Sequence, residues 1–215
     1  MKKLIIGLCL LSAFAHAQDT VSIVHTRYIT AFDTKLRYPL RVHWTVTTQD
    51  VCGTHDPRRV ARKDSYFKAD PQLKVYTDLR KNYLNNPQGY ERGHNMDAAD
   101  NSCDLDQMKE CHYFSNITPQ TKELNEQVWG DLEDHTRRMV KEHGKVEVWC
   151  GSFGVKEMMG PVSVPKFCWK IIRYDGVEEA YIMPNEHSVN QHNYDFYQTT
   201  VADVRTQSQL ALAGL

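Results

Sequence analysis

Neither sign of charge dominates this chain: 26 lysines and arginines face 27 aspartates and glutamates across 215 residues, a formal net charge of −1. No global positive field draws in a polyanion, so contact with one must come from local clusters. Beyond residue 15, no apolar run approaches the roughly 20 residues that a membrane helix needs. Internal repeats and low-complexity linkers are missing, which leaves one substantial domain. Paired Cys-x2-Cys and His-Glu-x2-His spacings are missing too, so the common zinc signatures do not occur. What remains, 41 % hydrophobic and 25 % charged residues, is the composition of an ordinary folded globule.

The N-terminus is different in kind. Lys2 and Lys3 precede an apolar run from Leu4 to Ala15, and Ala15-His16-Ala17 has the small-x-small pattern of a cleavage site. Residues 1–17 therefore read as a signal peptide, with 18–215 as the domain, a secreted or periplasmic location and no membrane contact after cleavage. Export permits disulfides. Removing Cys9 leaves Cys52, Cys103, Cys111, Cys150 and Cys168, an odd number, so at least one is unpaired or joins another chain. Cys103 with Cys111, close in sequence, and Cys150 with Cys168, on neighbouring strands, are the expected pairs.

Periodicity supplies the elements. Val21–Tyr28 reads as a first strand, and Leu40, Val42, Trp44 and Val46 alternate with polar residues as a half-buried second one. A polar loop with Arg58, Arg59, Arg62 and Lys63 follows, and Asn85–Gly89 turns the chain into Tyr90-Glu91-Arg92-Gly93-His94. Leu124, Val128, Leu132, Met139 and Val140 make the apolar stripe of a long helix, with Thr118-Pro119 as its start and Gly144 as its stop. Arg137, Arg138 and Lys141 read as that helix's solvated face. Val146–Cys150, Phe167–Arg173 and Glu179–Met183 alternate as strands, the last two joined at Tyr174-Asp175-Gly176. Phe196–Thr200 suggests a short last strand, and Val201–Leu212 a closing helix.

Chemistry concentrates around residues 90–133. Gly93 permits a backbone bend that turns Arg92 and His94 to one cleft. Histidine is suited to taking a proton from water near neutral pH, and arginine's fork suits a phosphate oxygen. Asn125 and Glu133 lie two turns apart on one helix face, about 12 Å at the backbone. One ion could then touch the amide oxygen directly and reach the carboxylate through water.

Glu91-Arg92-Gly93-His94, Ser115-Asn116-Ile117-Thr118-Pro119-Gln120, Leu124-Asn125, Trp129 and Leu132-Glu133, in that order and spacing, resemble the DNA/RNA non-specific endonuclease family. Arg62-x4-Phe67-x2-Asp70 resembles an upstream block of the same family. The resemblance implies an α+β, ββα-metal nuclease fold with an antiparallel sheet flanked by helices. It implies His94 as general base, Asn125 as direct ligand of one Mg²⁺ (Mn²⁺ as substitute), and Glu133 holding metal-bound water. Arg92 and Arg62 would bind phosphate, with Asn116 in support. DNA or RNA would be held by its phosphate backbone, and a homodimer is left open. Two departures are visible: Glu91 stands where the family usually has aspartate, and Asp97 where proline is common.

Two rivals compete with this expectation. Cys103, Cys111, His112 and His94 could make a zinc hydrolase, or the fold could be a catalytically inactive protein that binds nucleic acid or another protein. A toxin delivered into competing cells would keep the chemistry and change only its use.

Overall fold

A computed structural model describes residues 19–210. The inward alternation of Leu40, Val42, Trp44 and Val46 makes β3 (Tyr38–Thr47), the third strand of a meander that begins with β1 (Thr20–Val24) and β2 (Tyr28–Asp33). The stretch read as one strand is thus two, broken at His25-Thr26-Arg27, where His25 N donates to the Tyr28 carbonyl. Two short helices, α1 (Lys74–Thr77) and α2 (Arg80–Leu84), lead into β4 (Glu91–His94). After α3 (Leu105–Glu110), capped by the Asp104 carboxylate, the chain returns as β5 (Ile117–Gln120), antiparallel to β4. A π-helical turn, Leu124–Val128, then opens into α4 (Trp129–His143).

The second half completes the main sheet. β6 (Lys145–Phe153) pairs with β3, and a small hairpin of β7 (Glu157–Met159) and β8 (Val162–Val164) follows. Next come β9 (Phe167–Tyr174), β10 (Val177–Pro184), the two-residue β11 (Gln198–Thr199) and α5 (Val201–Ser208). The seven-stranded sheet runs β1-β2-β3-β6-β9-β10-β11, antiparallel at every pairing. One face packs Val42, Trp44, Val146 and Val148 against Leu124, Val128, Leu132 and Val140 of the π turn and α4. The other gathers Trp149, Trp169 and Ile171 against Val204 of α5. This is the expected α+β arrangement, with β4, β5 and α4 as its ββα unit.

Several local expectations are corrected. Thr118 and Pro119 do not start the helix. Both lie in β5, with Pro119 opposite Arg92, and helical hydrogen bonding begins where Asn125 N reaches the Thr121 carbonyl. Gly144 does stop α4, at φ 80°. Gly93 sits inside β4 rather than at a bend, and a Cβ there would fall 1.9 Å from Gln120 Oε1, so only glycine lets the Gln120 side chain cross the strand. Arg137 is no solvated residue: it pairs with Asp97 and, at 2.5 Å, with Asp134. The closing helix ends at Ser208, and Leu212, like the proposed leader, lies outside the described residues.

Both expected disulfides are also overturned. Cys52 joins Cys103, and Cys111, Cys150 and Cys168 are free and buried. Cys150 stands opposite Lys170 while Cys168 stands opposite Ser152, so the two cysteines are diagonal neighbours, about 7–8 Å apart in such a ladder and too far for a bridge. α3 separates Cys103 from Cys111, whose thiol instead meets the Met108 carbonyl at 3.1 Å. The observed bridge spans 51 residues of sequence, a closure worth about 4 kcal/mol in the loop-entropy picture.

A polar anchor pins α4 to the sheet. His135 contacts Glu179 of β10 at 2.8 Å, and the Tyr181 hydroxyl donates to the same carboxylate at 2.5 Å, joined by Tyr174. Burial by itself would raise the Glu179 carboxyl, but these three partners hold it down at about 2.

Two outcomes are expected. Mass mapping of non-reduced peptides should recover Cys52 linked to Cys103, with Cys111, Cys150 and Cys168 as free thiols, and Cys103→Ser should lower the melting temperature. A carboxyl depressed in the folded state stabilises above its unfolded pKa and loses that contribution as pH falls through its folded value. Glu179→Gln should therefore melt below the wild type at pH 7, and the gap should close between about pH 4.5 and pH 2 in calorimetric scans.

Candidate active site

The β4–β5 ladder ends at His94, paired with Ile117, and the following loop is bound back onto β5. Asn95 N donates to the Asn116 carbonyl, and Asn95 Nδ2 reaches that carbonyl and Thr118 Oγ1, each at 3.0 Å. His94 is buried, tilted against Phe67 with ring centroids 5.3 Å apart, and edge-on to His112 at 4.6 Å. Burial, with help from His112, Arg62 and Arg92, pushes its pKa well below the usual imidazole value. The ring is therefore neutral throughout the physiological range and carries a free lone pair.

One wall of His94 faces a cleft of about 450 Å³, lined also by Arg62, Asp97, Asn125, Glu126 and Glu133. A neighbouring hollow of about 280 Å³ shares Arg62, Asn125 and Glu126 and adds Glu91 and Arg92. Five expected residues, Arg62, Arg92, His94, Asn125 and Glu133, thus converge on one continuous groove. Arg92 stacks over Phe67 at 4.3 Å and is steered by Asp64 at 2.6 Å. Arg62 is exposed and lines both hollows.

Asn116 is placed differently from the rest. It is fully buried and lines neither hollow. Its Oδ1 accepts from Met96 N at 2.9 Å, and its Nδ2 donates to the carbonyls of Met96 and Cys111 at 3.0 and 2.7 Å. With both ends of its amide engaged by backbone, it braces the His94 loop, away from the two hollows.

The Asn125 side chain is held in one orientation. Asn125 Nδ2 donates to Glu91 Oε2 at 2.7 Å, which leaves Oδ1 as the free end of the amide. The π turn presents this residue at the groove, a backbone form often found at functional sites. Glu133, one wall further along α4, has its carboxyl pushed up to about 7 by burial, an effect that buried Lys170 opposes. A free amide oxygen and a carboxyl group on one groove are oxygen donors of the kind a hard divalent ion that keeps several waters takes.

Sequence reasoning missed three contributors. Glu91 appeared only as a departure from the family pattern, and nothing local couples it to Asn125, 34 residues on. Asp64, which steers Arg92, and Lys170, which faces Glu133, gave no signal beyond ordinary charge. The zinc grouping loses Cys103 to the bridge with Cys52, yet donor atoms of His94, Cys111 and His112 lie within 4.8 Å of one another.

Comparison with known proteins agrees with this geometry. The profile of the DNA/RNA non-specific endonuclease family matches residues 12–213. A mitochondrial EXOG nuclease of Xenopus laevis is 30 % identical over 202 residues, covering 84 % of this chain and 54 % of that protein. Its Danio rerio counterpart is 27 % identical over 208 residues, covering 86 % and 59 %. The chain thus spans little more than half the length of these curated relatives. A crystal structure of the EndoG/EndoGI complex, which concerns EndoG inhibition, superposes with a TM-score of 0.75 at 25 % identity over 89 % of this chain and 84 % of that one.

The relatives also correct an expectation. Those from Xenopus laevis, Danio rerio, Schizosaccharomyces pombe and Saccharomyces cerevisiae are all named mitochondrial, which overturns the secreted or periplasmic location read from the leader. A match of this extent, over a ββα unit carrying the expected groove, establishes the affiliation: the chain belongs to the DNA/RNA non-specific endonuclease family.

Proposed function

We propose that this chain is a metal-dependent endonuclease that hydrolyses phosphodiester bonds of DNA, RNA or both. The supporting observation is that Arg62, His94, Asn125 and Glu133, drawn from a loop, a strand end, a π turn and a helix, line one groove. Neutral His94 takes the proton of an attacking water on its unprotonated ring nitrogen, a contribution of typically about 10²–10⁴ in rate. Arg62 and Arg92 hold non-bridging phosphate oxygens. Contacts of this kind position the backbone without reading bases, so sequence preference is weak.

Asn125 Oδ1 would hold the ion, Mg²⁺ with Mn²⁺ as its substitute, and Glu133 would hold the ion's water. When bound, the ion supplies Lewis-acid stabilisation of charge on the phosphate and the departing alkoxide. Glu91 keeps the Asn125 amide from rotating its nitrogen into the ligand position. The zinc-hydrolase alternative lacks support, because Cys111 and His112 are 0 % exposed and an ion between them could not meet a polymeric substrate.

The deciding experiment incubates purified protein with supercoiled plasmid and with total RNA, in Mg²⁺ or EDTA. Cleavage of both polymers in Mg²⁺ and none in EDTA is expected; an intact plasmid and intact RNA in Mg²⁺ would sink the proposal. His94→Ala should lower kcat by about 10²–10⁴-fold while leaving the fold and Mg²⁺ binding in place. Glu91→Ala should act on the ion instead, raising the Mg²⁺ concentration for half-maximal cleavage by about tenfold or more. An identical Mg²⁺ titration would show that the Glu91–Asn125 contact does not set the ligand.

A further inference from the structure

Against the ring of His94, and lining neither hollow, lies a second group of donors that the proposed hydrolysis does not use. His112 and Cys111 are fully buried, and with His94 they bring three nitrogen and sulfur donors within 4.8 Å of one another. Among the described residues this is the one such group. His112 Nδ1 is 2.7 Å from the Met108 carbonyl and must donate to it, which fixes the ring and leaves the lone pair on Nε2. A backbone carbonyl on the far nitrogen is how metal-binding imidazoles are commonly oriented. The Nε2 atoms of His112 and His94 are both buried with no hydrogen-bond partner, and unsatisfied buried atoms of this kind ask for an explanation.

We propose that His94, Cys111 and His112 form a binding site for a thiophilic d¹⁰ cation, Zn²⁺ or Cu⁺, whose occupancy switches off the general base. Such ions sit about 2.0–2.3 Å from nitrogen and sulfur donors, so the three side chains need draw together by only about an ångström. The set offers no oxygen, which separates it from Asn125 and Glu133: the hard ion prefers one site and the soft ion the other. Binding moves one proton and no electrons. The Cys111 thiol releases its proton to solvent as the sulfur–metal bond forms, and the two imidazoles, already neutral, give their lone pairs. Burial holds both rings below the usual imidazole range, His112 at about 4, so neither must lose a proton at neutral pH.

The consequence for catalysis follows from ring chemistry. A metal on one nitrogen of His94 takes that lone pair, and the other nitrogen then carries the ring hydrogen, so no lone pair remains to accept a proton from water. The charge balance separates the two ions. Arg62 and Arg92 act on both imidazoles, and they disfavour the net positive charge left by Zn²⁺ and one thiolate. Cu⁺ with one thiolate is neutral.

This inference rests on His94 being the base, and its test reads binding separately from cleavage. Co²⁺ added to the full chain should give a near-ultraviolet thiolate-to-metal charge-transfer band that is absent in Cys111→Ser and reduced in His112→Gln. In saturating Mg²⁺, plasmid cleavage by the wild type should fall as Zn²⁺, or Cu⁺ from a buffered complex, is titrated in. Cys111→Ser should keep its uninhibited rate, and its half-inhibiting concentration should rise by at least about tenfold. Should that variant fail to fold, as judged by circular dichroism, His112→Gln is read by its cobalt band and by its half-inhibiting concentration measured against its own uninhibited rate. The absence of a thiolate band, or equal inhibition of wild type and variant, overturns the site. A wild type that cleaves nothing in Mg²⁺ removes the nuclease proposal, while the cobalt band still decides whether the three donors bind metal.

Discussion

The groove depends on one buried carboxamide. Asn116 spends both polar atoms on backbone, closing Met96 on two sides and Cys111 on a third. Those contacts draw together the two ends of the long connection between β4 and β5, and so set where His94 stands when the strand ends. A buried amide missing one partner leaves an unsatisfied polar group costing about 1–3 kcal/mol, which makes this an unforgiving position. Its effect reaches the chemistry through the backbone it holds.

A second device works by contact between side chains. Glu91 and Asn125 come from opposite ends of the ββα unit and meet at 2.7 Å. The contact fixes which end of the amide faces the groove, a choice that an isolated asparagine makes poorly. Lys170, buried and 4.3 Å from the Trp129 ring, supplies positive charge on the sheet side of Glu133 and Asp100. The groove thus brings Arg62 and Arg92 together with the carboxyl groups of Glu91, Asp97, Glu126 and Glu133.

Much of this was legible in the sequence where the signal was periodic or block-like. The alternation of Leu40–Val46 and the stripe from Leu124 to Val140 follow burial on one face, which repeats with the pitch of the element. The order of the Arg62, His94, Asn125 and Glu133 blocks carried the fold and the groove. Three kinds of feature were not legible. Pro119 favours a helix start by local propensity, but pairing with β4 overrides it. Cys52 and Cys103 are distant in sequence, while the nearer pairs fail on strand register and on the position of α3. Glu91 and Asn125, like Arg137 and Asp97, meet only after the chain folds.

The Cys52–Cys103 bond turns residues 52–103 into a covalent ring. Arg62, Glu91, Arg92 and His94 all lie on that ring, whereas Asn125 and Glu133 lie outside it. A protease that cuts once among the exposed residues Arg58, Arg59 and Lys63 would open the ring without releasing a fragment. Both pieces would stay tethered at the sulfur atoms, with Arg62 and Arg92 still attached to the scaffold that carries His94. A reductant following the cut would remove the last covalent link, leaving β1–β3 held to the rest through the non-covalent pairing of β3 with β6.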